Sequence, residues 1–480
     1  MKIINKIILF IKKHKYIFIT FIFIGIAFFI FGVNSFHENI WYDEAYQMIL
    51  NRYSLKDVIY FVSQDFSPPL YAITLKIITI ILPFSPLIIA RLLSFFTFSL
   101  LFIMAFFPIR KIFGKKVAYI FSILLLLVYP SFFASIEART YSFAMTFTLS
   151  ATIYALSIVK HNKFSDYLLY TIFSILAIYS HNYSIMAIFI LDNMLLFYTI
   201  FKRRDLLKKV FICNIIVFLS FLPWISVVIN QAKNLASNFW ISKPNLYTIK
   251  STINYLFTYN NIINIGLLII ILLIFLFSKK NQLKKALFII LPFILTITFF
   301  VTYSLFKSPL FIPKYTVPVC ALLYLFLAIV LSNSKHNILI ILFLCLLIPS
   351  FLSNFKFERT ITDDSETKEM ISWIHKITEN KDYGFVESTE FGLGISEYYF
   401  EGKTHYIDSY VPIYVTTNEI FGKVEEIDYT TDDIKEDLIV ALYLDEYRLY
   451  QLEQLGYTII AKHYFNIRYN NYVEVTILKK

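Results

Sequence analysis

Two acidic residues stand side by side in the segment Trp41-Tyr42-Asp43-Glu44-Ala45-Tyr46, directly after the first long apolar run. Acid is scarce in this part of the chain, because residues 1–353 contain nine Asp and Glu against 31 Lys and Arg. A carboxylate beside a membrane is costly unless it is used. Asp43 and Glu44 are therefore the first candidates for acid–base chemistry.

Further polar residues stand at the ends of apolar runs. They are Arg91, Glu137, Arg139, Tyr141, His181, Lys314 and Tyr315. If these positions share one membrane face with Asp43, an acid–base residue and several cations face the same cavity. That combination suits a reaction on an anionic substrate carried by a lipid.

The elements that must position these residues are long apolar segments. The chain has 480 residues, of which 58% are hydrophobic and 16% are charged, and its mean hydropathy is +0.64. Soluble domains are less apolar and more charged. Apolar runs of membrane-spanning length recur between Lys-rich breaks, so the sequence predicts a polytopic α-helical membrane protein.

Loop charges orient the predicted helices, because Lys and Arg concentrate on the cytoplasmic side. All basic breaks face the cytoplasm if eleven spans lie near 16–33, 86–108, 117–134, 141–159, 167–180, 185–201, 210–228, 261–277, 286–305, 315–331 and 338–352. This arrangement predicts a multi-pass plasma-membrane protein with a cytoplasmic N-terminus and a long outer loop at 34–85. Within that loop, residues 68–83 are apolar but short and contain Lys76, which favours an interfacial or re-entrant helix.

The composition changes near residue 354. Residues 354–480 carry 24 acidic against 13 basic side chains, whereas the preceding part is strongly basic. Four elements are predicted in this tail: a helix opened by Asp363 and continuing through Met370 to Ile377, a buried strand at 438–442, a helix that stops at Gly456 and a strand at 472–478. We therefore expect two domains, a membrane module at 1–353 and a small extracytoplasmic α/β domain at 354–480.

Short motifs, taken in order, give the chain a resemblance to the GT-C glycosyltransferases. The relevant group is the glycosyltransferase 39-like one, which includes protein O-mannosyltransferases and the lipid A aminoarabinose transferase. The motifs are Asp43-Glu44, Ser67-Pro68-Pro69-Leu70-Tyr71, Glu137-Ala138-Arg139-Thr140-Tyr141 and Pro313-Lys314-Tyr315-Thr316-Val317-Pro318, with His181-Asn182-Tyr183 as a further recurring spot. Together with the outer C-terminal domain, they cover nearly the whole chain.

The resemblance implies a GT-C fold and an inverting transfer of a sugar from a polyprenyl-phosphate donor on the outer membrane face. The acceptor is then a hydroxyl of a protein, a lipid or a cell-wall glycan. Asp43 is implied as the general base. The chemistry of Glu44 makes it a candidate for orienting the acceptor, Arg139 or a metal. The implied substrate-binding residues are Arg91, Lys76, Glu137, Arg139, Tyr141, His181, Lys314 and Tyr315, whose cations are available to hold the leaving phosphate.

Two positions depart from the family pattern. Ser67 stands where the residue before Pro-Pro is often basic or His, and Lys314 stands where Arg is usual. Lys offers a point charge instead of a bidentate fork. The resemblance therefore predicts phosphate binding at Lys314 but not the geometry of its contacts.

A divalent cation such as Mg²⁺ or Mn²⁺ is an alternative ligand of the acidic pair, because His37 and Glu38 stand near Asp43 and Glu44. Carboxylate oxygens are the ligands that such hard cations prefer. The sequence indicates no other cofactor. The basic loops are explained by membrane topology, so a nucleic acid is not an expected partner, whereas membrane lipids are.

Two other functions fit a protein of this class. A flippase or transporter for a lipid-linked glycan is expected to have inverted repeats and Gly- or Pro-broken spans with midplane charges, but the chain has only ten Gly. A glycan polymerase or ligase would use an oligosaccharide linked through a diphosphate. The sequence alone separates this last function poorly from a monosaccharide transferase.

Overall fold

The computed structural model describes residues 2–238, 241–276, 280–335, 337–361, 364–379, 381–408, 418–429, 434–466 and 472–480. Its contacts divide the chain into two compact units, each of which gathers segments that are distant in sequence. The helical unit comprises Met1–Ser35, Ser67–Tyr71 and Ala90–Phe355, and the sheet unit comprises Phe36–Phe66, Ala72–Ile89 and Lys356–Lys480. Most of the loop predicted at 34–85 thus groups with the C-terminal tail.

Helices account for most of the described chain. The first ten are α1 (Lys2–Ile30), α2 (Tyr42–Leu50), α3 (Leu55–Gln64), α4 (Leu70–Ile81), α5 (Pro86–Met104), α6 (Arg110–Phe113), α7 (Lys115–Leu127), α8 (Tyr129–Ile136), α9 (Tyr141–His161) and α10 (Phe164–Ile178). The next ten are α11 (Asn182–Lys202), α12 (Arg204–Asn238), α13 (Leu246–Leu256), α14 (Asn261–Leu276), α15 (Lys280–Phe306), α16 (Val317–Ser332), α17 (Asn337–Ile361), α18 (Ser365–Thr378), α19 (Glu390–Tyr399) and α20 (Glu446–Gln454).

The apolar helices confirm the predicted polytopic membrane fold. Within the described residues, eight helices are long and apolar enough to span a membrane, and the number rises to ten if two helix pairs, each bent by 72°, count as one span each. The sequence predicted eleven spans. The predicted span at 167–180 corresponds to the shorter helix α10, and residues 68–83 form the short apolar helix α4.

One bend has a clear local cause. The predicted span at 117–134 divides into α7 and α8 at Val128, whose backbone is extended (φ −94°, ψ 140°). Pro130 then lies in the first turn of α8, where the missing N–H of proline costs no hydrogen bond. The apolar run continues through this break, which is why hydropathy alone predicted one helix.

Helix α9 lies in the interior of the helical unit and is rich in small residues. Its buried positions include Ala144, Ser150 and Ala151, which let neighbouring helices approach closely in a membrane bundle. The Thr146 hydroxyl donates to the Thr97 carbonyl oxygen over 3.1 Å. Such bonds satisfy polar groups that the bilayer cannot solvate.

The basic breaks between spans meet at one end of the helical unit, which we call the basic end. The guanidinium carbon of Arg110 lies 3.8 Å from the centroid of the Tyr16 ring. Three side chains donate to backbone carbonyl oxygens of other breaks: Lys160 to Lys111 over 2.9 Å, Lys116 to Ser334 over 3.2 Å and Arg203 to Val159 over 3.0 Å. Because Lys160 ends α9, Tyr141 at its start lies about 30 Å away.

The C-terminal part of the sheet unit contains one mixed sheet. Its strands are β1 (Gly384–Glu387), β2 (Thr404–Ile407), β3 (Lys423–Glu426), β4 (Leu438–Leu442), β5 (Thr458–Asn466) and β6 (Tyr472–Lys479), in the order β3-β2-β1-β4-β6-β5. The first four strands in this order pair in parallel, and β6 pairs antiparallel with both β4 and β5. Phe385 lies opposite His405 and Val440.

Both faces of the central strands are covered. Phe385 and Val440 cluster with Ile374 of α18, whereas the next residues along each strand, Val386 and Ala441, cluster with Leu452 of α20. Parallel strands buried on both faces are typical of an α/β arrangement. The small α/β domain predicted for the tail is thus confirmed as a fold.

Candidate active site

Three of the sequence motifs meet around the imidazole of His181 in the helical unit. His181 has an extended backbone immediately before α11, and its Nδ1 accepts a hydrogen bond from the Tyr183 backbone N–H over 3.1 Å. The ring centroids of Tyr141, Tyr183 and Tyr315 each lie 5.7 Å from the imidazole centroid. Because Nδ1 accepts, the ring proton of the neutral imidazole is on Nε2.

Two cations accompany this aromatic group. Burial, together with the positive charges of Arg139 and Lys314, lowers the pKa of His181 to about 3. His181 is therefore neutral near pH 7 and adds a hydrogen-bond donor without a charge. The Lys314 Nζ also lies 5.9 Å from the centroid of the Tyr315 ring. Two positive charges beside aromatic faces can hold an anionic group such as a phosphate.

The Pro-Pro-Leu-Tyr turn ties the motifs of this cluster together. The Tyr71 hydroxyl donates to the Ala90 carbonyl oxygen over 2.8 Å, and the Leu70 N–H donates to the Tyr179 carbonyl oxygen over 3.0 Å. The Thr140 hydroxyl donates to the Ser180 carbonyl oxygen over 2.6 Å. The Thr140 hydrogen bond therefore fixes Arg139 relative to the segment that carries His181.

Arg91 and Glu137 are enclosed near this turn. Their exposed fractions are 1% and 0%, and Ser94, one turn after Arg91, donates to the Glu137 carbonyl oxygen over 2.6 Å. A buried charge is tolerated only when it is paired, and both side chains take part in interactions. The structure therefore places the predicted ligands Arg91 and Glu137 in the protein interior.

The acidic pair lies in the sheet unit, in the first turn of α2. Asp43 is half-buried and Glu44 is fully buried. Both side chains are near the positive end of the helix dipole, where a negative charge is stabilised.

Helix α2 packs directly on α19. The Tyr42 ring centroid lies 4.9 Å from that of Phe391, and a Cβ added to Gly394 would lie 2.7 Å from the Tyr42 ring. Burial and the neighbouring Glu390 carboxylate, which is hydrogen-bonded to Tyr42, raise the pKa of Tyr42 well above its ordinary value. Position 394 thus requires a residue without a side chain, because Tyr42, which precedes Asp43, packs against the tail there.

A charge network of one exposed arginine and three buried side chains holds the far end of α2. Arg52 donates to Glu397 Oε1 over 2.8 Å, and Glu397 Oε2 lies 3.2 Å from His405 Nε2. The other imidazole nitrogen of His405 lies 3.0 Å from Glu387 Oε1. Burial alone would lower the pKa of His405, but hydrogen bonds to Glu387 and Glu397 outweigh it and raise that pKa. The network joins the loop at 34–85 to β1, β2 and α19.

The remaining predicted ligands have other contacts. Lys76 on α4 donates to the Asn51 carbonyl oxygen over 2.9 Å, at the end of α2. His37 Nδ1 lies 3.6 Å from an Asp364 carboxylate oxygen. Within the described part of the chain, no group of three His, Cys, Asp or Glu side chains has the arrangement of a metal site.

The fold is similar to that of solved structures. Crystal structures of ArnT from Cupriavidus metallidurans, one in the apo state and one bound to undecaprenyl phosphate, superpose on the chain with TM-scores of 0.64 and 0.63. Each comparison covers 95% of this chain and 97% of the other.

The protein has the ArnT fold. This finding confirms the GT-C-like fold predicted from the motifs. Sequence identity to the two ArnT structures is only 12% and 13%, so the comparison with ArnT establishes architecture alone. No family model and no curated protein sequence matches the chain.

Three of the sequence motifs led to Arg139, His181 and Lys314, but no motif led to the residues that hold α2. Glu387, Glu397 and His405 are separated by intervals that match no motif, and they meet only because β1, α19 and β2 are neighbours. One signal was present in the sequence. Helix α19 contains two glycines, which are unfavourable in a helix interior unless something approaches closely.

Proposed function

We propose that the protein is an integral membrane glycosyltransferase that uses a polyprenyl-phosphate sugar donor. Arg139 and Lys314 beside His181 and three tyrosines provide the observation that carries this proposal. Cations hold the phosphate, and aromatic faces bind a sugar or a polyprenyl chain. A protein of the same fold has been crystallised with undecaprenyl phosphate, which supports the same class of lipid here.

In the proposed reaction, Asp43 is the general base. It removes the proton of an acceptor hydroxyl while the oxygen attacks the anomeric carbon of the donor. The bond between that carbon and the phosphate oxygen breaks on the opposite face, so the configuration inverts. Polyprenyl phosphate leaves with the bonding electrons, and Arg139 and Lys314 stabilise its growing negative charge. Glu44 orients the acceptor. We place the reaction on the extracytoplasmic face, as the loop charges predict.

Reconstituted protein tests this assignment directly. Liposomes containing wild type or Asp43→Asn receive labelled polyprenyl-phosphate monosaccharides, and release of the sugar to water or an acceptor is followed. We expect the variant to lose at least about 10²-fold in rate, because a positioned base contributes that much. Glu38→Gln is the matched control, since among the described residues this exposed carboxylate of the same loop makes a surface pair with Lys368.

A second pair of variants tests the phosphate site. Lys314→Gln is expected to slow transfer on the order of 10²-fold, the usual cost of removing one donor to a developing anion. Lys307→Gln removes an exposed lysine from the same segment and should leave the rate unchanged.

Equal rates for wild type and Asp43→Asn would refute the base assignment. Turnover of a diphosphate-linked oligosaccharide alone would instead identify a polymerase or ligase, and lipid movement without transfer would identify a flippase.

A further inference from the structure

A cavity of about 690 Å³ opens at the basic end of the helical unit, far from His181. It is lined by the middle of α1 and by the N-terminal parts of α7 and α17. Each of these helices belongs to a candidate membrane span or a bent pair. The cavity therefore lies where apolar spans begin and the basic breaks end.

Three lysines give this cavity its charge. They are Lys15 of α1 together with Lys115 and Lys116 of α7, and none of the described residues that line the cavity is acidic. Lys116 is held by its hydrogen bond to the Ser334 carbonyl oxygen, while Lys15 and Lys115 are exposed. Membrane topology requires basic loops, but it does not require lysines from two helices around one concave site.

Helix geometry adds to the positive potential. Helix α7 begins at Lys115 after Gly114, whose φ of 98° ends the preceding helix, and no side chain caps its first turn. Asn337, which also lines the cavity, is the first residue of α17. Two helix N-termini therefore meet the same cavity, and each presents backbone N–H groups and a positive dipole end to an anion.

The rest of the lining is apolar or aromatic. Ile120 lies one turn inside α7, and Ile340 and Ile341 lie one turn inside α17. Tyr16 directly follows Lys15 in α1, and Tyr119 lies between Lys116 and Ile120 in α7, positions typical of the membrane interface. An occupant with a charged head and an apolar tail matches this order of residues.

We propose that this cavity binds the phosphate headgroup of an anionic phospholipid. The phosphate lies against Lys15, Lys115 and the N-termini of α7 and α17, and an acyl chain runs along Ile341. Basic pockets between membrane helices are a known form of lipid headgroup site. The site is separate from the proposed transfer chemistry, since it lies at the other end of α9 from Tyr141.

Binding of a fluorescent phosphatidylglycerol to purified full-length protein tests the proposal. We compare Lys15→Gln/Lys115→Gln with Lys202→Gln/Lys208→Gln, which removes the same charge from exposed positions at the same end. The first variant should bind more weakly by about fivefold per lysine, and the second should bind like wild type. Lys15→Arg/Lys115→Arg should keep the affinity, and equal thermal midpoints confirm that all variants are folded.

Competition identifies the source of the phosphate. Unlabelled phosphatidylglycerol should displace the probe and phosphatidylcholine should not. Displacement by inorganic phosphate as well would show that the phosphate alone occupies the site, whereas its failure would show that the acyl chain is needed. Equal weakening in both glutamine variants, or equal competition by phosphatidylcholine, would overturn the proposal, because binding would then reflect diffuse charge or apolar contact.

Discussion

At the residue scale, two histidines have opposite electrostatic surroundings. His181 is partly buried beside Arg139 and Lys314, which favours its neutral form. His405 is buried between Glu387 and Glu397, which favours its charged form. The same side chain is thus held neutral in one unit and shifted toward its charged form in the other. Each arrangement predicts a different dependence on pH.

The sheet unit should become less stable at alkaline pH, because the stabilising contribution of His405 is lost there. Its folded pKa is raised above the ordinary value of 6.5, so its contribution to stability is complete below pH 6.5 and is lost as pH rises through the folded pKa. For wild type, the thermal midpoint measured from pH 5 to 9 should decrease as the pH rises above 6.5. The fall should be absent in His405→Gln and present in His463→Gln, which alters an exposed histidine of β5. A wild-type midpoint independent of pH would contradict this assignment.

His181 should not titrate during activity. With its pKa lowered to about 3, the imidazole stays neutral throughout the range from pH 5 to 8. His181→Gln keeps an N–H donor but lacks the aromatic ring, so it should alter the affinity for polyprenyl phosphate. It should not alter the shape of the pH–rate profile for sugar transfer. A shift of the acidic limb in this variant would show that His181 carries a proton during turnover.

At the scale of single elements, the fit between α2 and α19 depends on a missing side chain. Alanine is favoured over glycine in a helix by about 1 kcal/mol, so Gly394→Ala would stabilise a solvent-facing helix. Here the new Cβ would lie 2.7 Å from the Tyr42 ring, and the ring must move. We expect a lower thermal midpoint and slower transfer. Gly25→Ala is the control, because nothing lies within 4 Å of a Cβ there, and this variant should retain both properties.

Elements with a strong local signal were predictable from sequence. The helix through Met370 and the buried strand at 438–442 occur as α18 and β4, while Asp363, predicted to open that helix, lies outside the described residues. Strands β1, β2 and β3 have only four residues each, too few for a pattern to stand out. Their place in the sheet is determined by pairing between distant segments, which a local pattern does not encode.

At the scale of the whole molecule, the sheet unit joins an early segment of the chain to a late one. Asp364 accepts hydrogen bonds from the backbone N–H groups of Glu38 and Asn39 over 2.8 and 2.9 Å. Tyr53 donates to the Ile420 carbonyl oxygen over 3.1 Å. In sequence, the acidic pair thus lies between two points at which the loop at 34–85 is bound to the tail.

Hydrogen exchange can measure this attachment. In Asp364→Ala, the amides of Glu38 and Asn39 should exchange roughly tenfold to a hundredfold faster, because a hydrogen bond to a charged group contributes about 1.5–3 kcal/mol. Glu369→Ala changes an exposed acid of the same helix and should leave exchange unchanged. Fast exchange of both amides in wild type would show that the loop at 34–85 is not held in solution.

The link between Arg52 and Glu397 also sets an order in time. These partners are 345 residues apart, and a ribosome adds about 5–20 residues per second, so Arg52 waits roughly 17–70 s before Glu397 exists. During that interval α2 has already left the ribosome without the surface on which it packs. A nascent chain halted before β1 would therefore carry both acidic residues and still lack the support of the helix that bears them. Helix α2, which carries the acidic pair, thus reaches its final packing late in the synthesis of the protein.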